Sequence, residues 1–236
     1  MSGFATTRWS LIFEARGGPE ASRDALEQIC RDYRGPVLNY VRRLGHASAD
    51  AEDLTQEFFA RFLERRWHAS ADPARGRFRS FLLTALRRFL MNARASAGAA
   101  KRGGGEHRVD FEEASIFLES PAVDSPEQAF TRDWMHTVLD HAVARLRAEA
   151  IAANKGPLFE KLAGYIAESP DPTVYQTLAK ELGVRANTLA VHVHRLRHRL
   201  RSLVRAELMQ TVGDPAALEE ELRELRTSLA SDATID

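Results

Sequence analysis

The sequence predicts an all-α protein made of two small helical domains joined by a flexible linker, with an amphipathic helix at its end. Apolar residues return at the helical spacing i, i+3, i+4 and i+7 along most of the chain, and no convincing strand appears. Strong helix formers dominate the 236 residues, of which 44% are hydrophobic and 28% charged. Turn-forming and basic residues collect between 98 and 125, so the chain divides into segments 1–97, 98–125, 126–206 and 207–236.

Thr7 or Ser10 caps a short first helix with Trp9, Ile12 and Phe13 on its apolar side, and Gly17-Gly18-Pro19 ends it. The second helix buries Ala25, Leu26, Ile29, Cys30 and Tyr33. Pro36 restarts or kinks it before Val37, Leu38, Val41 and Leu44 carry it to Gly45. Ser48 is the expected N-cap of a third helix, whose inner face is Leu54, Phe58, Phe62 and Leu63. Its acidic residues Asp50, Glu52, Asp53 and Glu57 lie near the N-terminus, where the helix dipole favours negative charge. A loop from His68 to Gly76 precedes a helix over Phe78–Arg94, apolar through Phe78, Phe81, Leu82, Ala85, Phe89 and Leu90. Arg79, Arg87, Arg88, Asn92 and Arg94 project elsewhere from it.

Ala95 to Gly105 reads as the start of the linker, in which Phe111, Ile116, Phe117 and Leu118 are apolar enough to dock on something. Ser125-Pro126-Glu127 starts the next helix, with Phe130, Trp134, Val138, Ala142 and Leu146 at helical spacing. Pro157 opens another over Leu158, Leu162, Tyr165 and Ile166, and Pro170 and Pro172 stop it. Leu178, Ala179 and Leu182, the turn Gly183-Val184, and then Leu189, Val193, Leu196 and Leu200 make a helix-turn-helix. Asp214-Pro215 begins the last helix, whose stripe Leu218, Leu222, Leu225 and Leu229 runs beside Glu219, Glu220, Glu221 and Glu224 and packs on its own chain.

Charge is segregated rather than in excess: 33 basic residues balance 33 acidic ones. Arg185, Arg195, Arg197, Arg199, Arg201 and Arg205 cluster on the second helix of the helix-turn-helix, as suits a polyanion. On the Phe78–Arg94 helix, guanidinium groups interleave with aromatic side chains, a mixture that holds phosphates by charge and shelters unstacked bases. The lone Cys30 sits on an apolar helical face and cannot form an internal disulfide. Neither a signal segment nor a membrane-spanning run is read from the sequence, so a cytoplasmic protein is expected. His192, His194 and His198 stand among arginines with no acid to complete a metal site, and no catalytic constellation is present. No cofactor, metal or enzymatic activity is expected.

The order of these features resembles a bacterial RNA polymerase sigma factor, sigma-70-like and of the small extracytoplasmic-function type. Asp50-Ala51-Glu52-Asp53-Leu54-Thr55-Gln56-Glu57-Phe58-Phe59 is similar to the region that grips the beta-prime clamp helices. Arg79-Ser80-Phe81-Leu82-Leu83-Thr84-Ala85-Leu86-Arg87-Arg88 resembles the promoter-melting region. Leu178-Ala179-Lys180-Glu181-Leu182-Gly183-Val184, followed by His194-Arg195-Leu196-Arg197, resembles the helix-turn-helix that reads the upstream promoter element. Three features depart from the pattern. The segment from Ala148 to Glu168 lacks the usual short proline-containing lead-in, Ser80-Phe81 stands where many members have tryptophan, and the tail beyond Arg205 is long.

The resemblance implies core RNA polymerase, through its beta-prime clamp helices and beta flap, and promoter DNA as partners. Asp50, Glu52, Asp53 and Glu57 would bind the clamp, and Arg79, Arg87, Arg88 and Asn92 would hold the melted strand. Arg185 and Thr188 would touch phosphates of the upstream element, while Val191, His192, Arg195 and Arg199 would serve at its groove. A kinase-linked subset, similar in its Thr7-Arg8-Trp9 and long tail, makes Thr55 a candidate phosphorylation site and a Ser/Thr kinase a candidate regulator. The competing reading is a stand-alone helix-turn-helix regulator that never docks on polymerase, which leaves Asp50 and Asp53 without a role.

Overall fold

A computed structural model of the chain describes residues 8–15, 19–102, 125–167, 171–212 and 215–232, and every regular element among them is helical. In chain order these are α1 (Arg8–Glu14), α2 (Pro19–Arg43), α3 (Ser48–Glu64), α4 (Phe78–Arg102), α5 (Pro126–Ala152), α6 (Gly156–Leu162), α7 (Pro172–Leu182), α8 (Ala186–Met209) and α9 (Pro215–Asp232). Short 3-10 turns at Trp67–Ser70, Pro73–Arg75 and Ala163–Tyr165 join them. Expectations for Thr7, Gly17 and Gly18, for the linker from Gly103 to Asp124 with Phe111, Ile116, Phe117 and Leu118, and for Pro170 and Asp214 lie outside the described residues.

The chain divides into two compact units, one of Met1–Thr137 with Met209–Asp236 and one of Val138–Leu208. In the first, α1 to α4, the start of α5 and α9 share a core centred on aromatic rings. Phe58 lies 5.7 Å from Phe89 and 6.0 Å from Phe62 between ring centroids, and Phe78 meets Tyr33 at 5.5 Å and Trp9 at 5.9 Å. Each such ring contributes roughly 1.5–3 kcal/mol through burial alone. Tyr40 donates a 3.1 Å hydrogen bond to Glu127, and Asn39 one of 3.0 Å to Asp133, fixing α5 against α2. The Trp9 indole N–H donates to the Thr211 carbonyl at 3.2 Å, so the first and last stretches of the unit close on each other. α9 packs on its own chain through buried Leu218 and Leu225.

Several local expectations need correction. α2 does not restart at Pro36 but runs on through it, with the proline ring buried; its end just before Gly45, which adopts φ +89°, is where the sequence sets it. Ser48 does not cap α3. Its hydroxyl faces the Arg42 guanidinium at 3.1 Å, and Ala47 is the N-cap with no side-chain bond. α4 does not stop at Arg94 but runs to Arg102, through the residues expected to open the linker. The start of α5 is a reciprocal capping box: the Ser125 hydroxyl accepts from the Gln128 N–H at 3.2 Å and the Gln128 side chain accepts from the Ser125 N–H at 3.4 Å.

In the second unit, buried Leu162, Ala179, Leu189 and Val193 form the centre, with Leu158, Tyr165, Tyr175, Leu178, Leu182 and Leu196 packed around them. Asp171 caps α7 by accepting from the Thr173 N–H at 2.8 Å, and this bond, with one from the Thr173 hydroxyl, holds its carboxyl below the usual range. Gly183, at φ +65°, ends α7 in the left-handed conformation, and the Val184 N–H returns to the Ala179 carbonyl at 3.0 Å. That turn leads directly into α8, so that α7 and α8 form the expected helix-turn-helix sequence of elements. Arg197 secures the far side by donating to the Tyr165 and Ile166 carbonyls at 2.7 and 3.0 Å.

Candidate functional site

Three faces carry the sequence-nominated residues. The first lies between α3 and α4, where the helical register sets Leu54, Leu90 and Ala93 as the floor of a groove of about 330 Å³. Asp50, Asp53 and Glu57 stand along it, with His46 and Arg94 completing the lining. Asp50 and Asp53 are exposed, and among the described residues neither enters an ion pair. Glu57 is held by Arg61 one turn on, at 2.5 Å. Glu52 faces away from the groove; Arg34 and Arg42 clamp it at 2.5 and 3.2 Å, so its charge is spent within the chain. An apolar floor with free carboxylates beside it suits a helix with basic and apolar side chains on one face.

Thr55 stands elsewhere. It belongs to the buried stripe Ala51, Thr55, Phe58 and Phe62, is 1% exposed, and its hydroxyl has no hydrogen-bond partner among the described residues. A kinase cannot reach that hydroxyl unless α3 detaches, which argues against the modification the resemblance implied.

The second face, on α4, is not the open arginine surface expected. Arg87 is exposed and pairs with Glu127 at 3.0 Å. Asn92 is half-buried, with a buried carboxamide oxygen that has no hydrogen-bond partner among the described residues. Arg88 is buried, and so is Arg79, which is 5% exposed. Arg79 pairs with both Glu221 and Glu224 of α9 and lies 4.9 Å over the Trp134 ring. Arg77, just before α4, joins the same carboxylates at 2.9 Å to Glu221 and 2.6 Å to Glu224. Burial works against the charge on Arg77. The Glu224 hydrogen bond and the charges of Glu221, Glu224 and Glu220 outweigh it and hold its pKa above the ordinary value.

The third face is the outer side of α8. Leu189 and Val193 point into the unit, so Asn187, Thr188, Val191, His194, Arg195 and His198 form a continuous exposed strip, with Arg185 exposed just ahead of it. Asn187, His194 and His198 were not among the sequence candidates, although the spacing 187, 191, 194, 198 follows from the buried pair. His192 and Arg199 lie toward one flank, lining a cleft of about 230 Å³ with Leu146, Leu158 and Phe159; Arg195 reaches that cleft as well. Arg199 is engaged there by Glu149 at 2.6 and 2.7 Å, which lowers the Glu149 carboxyl and raises the guanidinium. Among the described residues no three His, Cys, Asp or Glu side chains come together as metal ligands, and no helix is long and apolar enough to cross a membrane.

A helix-turn-helix with a basic, exposed second helix, joined in sequence to a helical unit with an acid-lined groove, is an arrangement that suits a helical DNA-binding protein. Residues 29–99, which span α2 from its middle, α3 and nearly all of α4, match the family model of sigma-70 region 2. That segment is thus similar to region 2 of the sigma-70 family of transcription-initiation factors, which supports a sigma-70-like factor. Comparison with curated proteins and with solved structures finds no significant match.

Proposed function

We propose that the chain docks on core RNA polymerase through the α3–α4 groove and directs promoter-specific initiation, as the small extracytoplasmic-function type does. The groove carries the reading: Asp50 and Asp53 are exposed carboxylates without ion pairs among the described residues, beside an apolar floor, on the segment that matches region 2. The beta-prime clamp helices would supply the complementary basic face. On this reading, segment 1–97 binds polymerase and opens the downstream element, 98–125 is the linker, 126–206 reads the upstream element and contacts the beta flap, and 207–236 is an appended tail. That work belongs to the cytoplasm.

The exposed strip of α8 supports the upstream contact. Arg185 and Thr188 stand at the helix N-terminus, where backbone N–H groups and the dipole favour phosphate, and Val191 with Arg195 is spaced for base edges in a major groove. Asn187, His194 and His198 share that strip and join the candidate readers. Co-purification with core polymerase, comparing the native chain with Asp50→Lys/Asp53→Lys, tests the docking. Both positions are exposed, so the variant should fold normally, lose polymerase binding and lose promoter-directed run-off transcription. Equal recovery of both chains would remove the groove from the account. Tight, sequence-specific duplex binding without polymerase would favour the stand-alone regulator.

A further inference from the structure

We infer that α9 is a displaceable clasp whose Glu221 and Glu224 occupy Arg77 and Arg79 in the place of nucleic-acid phosphates, holding the strand-binding face of α4 closed in the free chain. The inference rests on reading α4 as the surface for the melted promoter strand.

Its first support is the pairing itself. Two arginines at the start of α4 meet two carboxylates of α9 in a crossed arrangement, each guanidinium touching both acids. Adjacent phosphates along a strand present the same chemistry, negative oxygens facing guanidinium forks. Exchange of carboxylate for phosphate therefore leaves neither arginine unpaired at the end of the step.

A second support is where Glu221 stands. It is fully buried and lies between Leu218 and Leu225 at the spacing i, i+3, i+7, inside the stripe by which α9 packs. If the stripe served only to fasten the tail, an apolar residue there would hold at least as well, because a buried ion pair recovers little beyond its own desolvation. A carboxylate at that point makes the attachment depend on charge, and thus open to competition by a polyanion. Arg79 lies over the Trp134 ring, so it stays in place with the aromatic face beside it when the acids leave.

The test uses the full-length chain, free and bound to core RNA polymerase. Each is titrated with a fluorescein-labelled single-stranded oligodeoxynucleotide of mixed sequence while hydrogen exchange is followed over residues 215–232. The native chain is compared with Glu221→Gln/Glu224→Gln, and with Glu224→Gln alone, whose position is half-exposed, should the double variant not fold by circular dichroism. A closed site reduces apparent affinity by the fraction open, so the free variant should bind about tenfold more tightly than the native chain. DNA should accelerate exchange throughout α9 in the native chain. Equal binding by native and variant chains, with α9 still protected when DNA is bound, would make the contact purely structural and overturn the clasp while leaving the DNA reading intact. Absence of binding by every chain, free and on polymerase, would remove the strand-binding face itself and the clasp with it.

Discussion

At the scale of single residues, chemistry follows from which partner a side chain meets. Tyr40 is buried and donates to the Glu127 carboxylate, and both effects oppose ionisation, pushing its phenol up to about 12. Its folded pKa thus lies above the unfolded value of about 10, so the stabilisation is complete below pH ~10 and is lost as pH rises through the folded value. Ultraviolet titration should show a late-titrating tyrosine that vanishes in Tyr40→Phe, together with an alkaline fall in urea stability that the variant lacks. Arg79 shows what a sequence hides. Its partner Glu221 is 142 positions away, so no local pattern pairs them, and an arginine between Phe78 and Ser80 reads as an exposed guanidinium. A signal was present in the spacing. Arg79, Leu82, Leu86 and Leu90 recur as one buried stripe of α4, and an acid inside the Leu218–Leu225 stripe demands a base.

Helices themselves were legible because burial imposes a period on them. The apolar spacing of α3, α4 and α8 located those elements, and Gly183 located the turn of the helix-turn-helix. Ends were less legible: α4 passes Gly98, since a single glycine lowers helix stability by only about 1 kcal/mol and helical neighbours outweigh it. The Ser48 hydroxyl went to Arg42 rather than to a backbone N–H because a cationic partner from another helix was within reach. At Gly183 a Cβ would meet nothing within 4 Å, so replacement there acts on the backbone alone. Gly183→Ala should destabilise the helix-turn-helix by about 1–2 kcal/mol, the penalty of a left-handed residue with a side chain, read as a lower urea midpoint with unchanged slope.

For the molecule as a whole, a net charge of zero conceals faces of opposite sign. DNA affinity should therefore fall steeply with salt despite the neutral total, and Arg185→Ala should reduce the slope of log affinity against log salt by about 1, across all sequences alike. A slope unchanged by that substitution would remove Arg185 from the phosphate contacts. The two units also differ in how they are written along the chain. The helix-turn-helix unit is one continuous stretch, Val138–Leu208, whereas the other is made of two, with Trp9 bonded to a carbonyl 202 positions later. A ribosome releases the first partner of that bond long before the second. The Val138–Leu208 unit can thus close as soon as it emerges, while the other, although begun first, waits with part of its aromatic core uncovered until the residues past Met209 have been made.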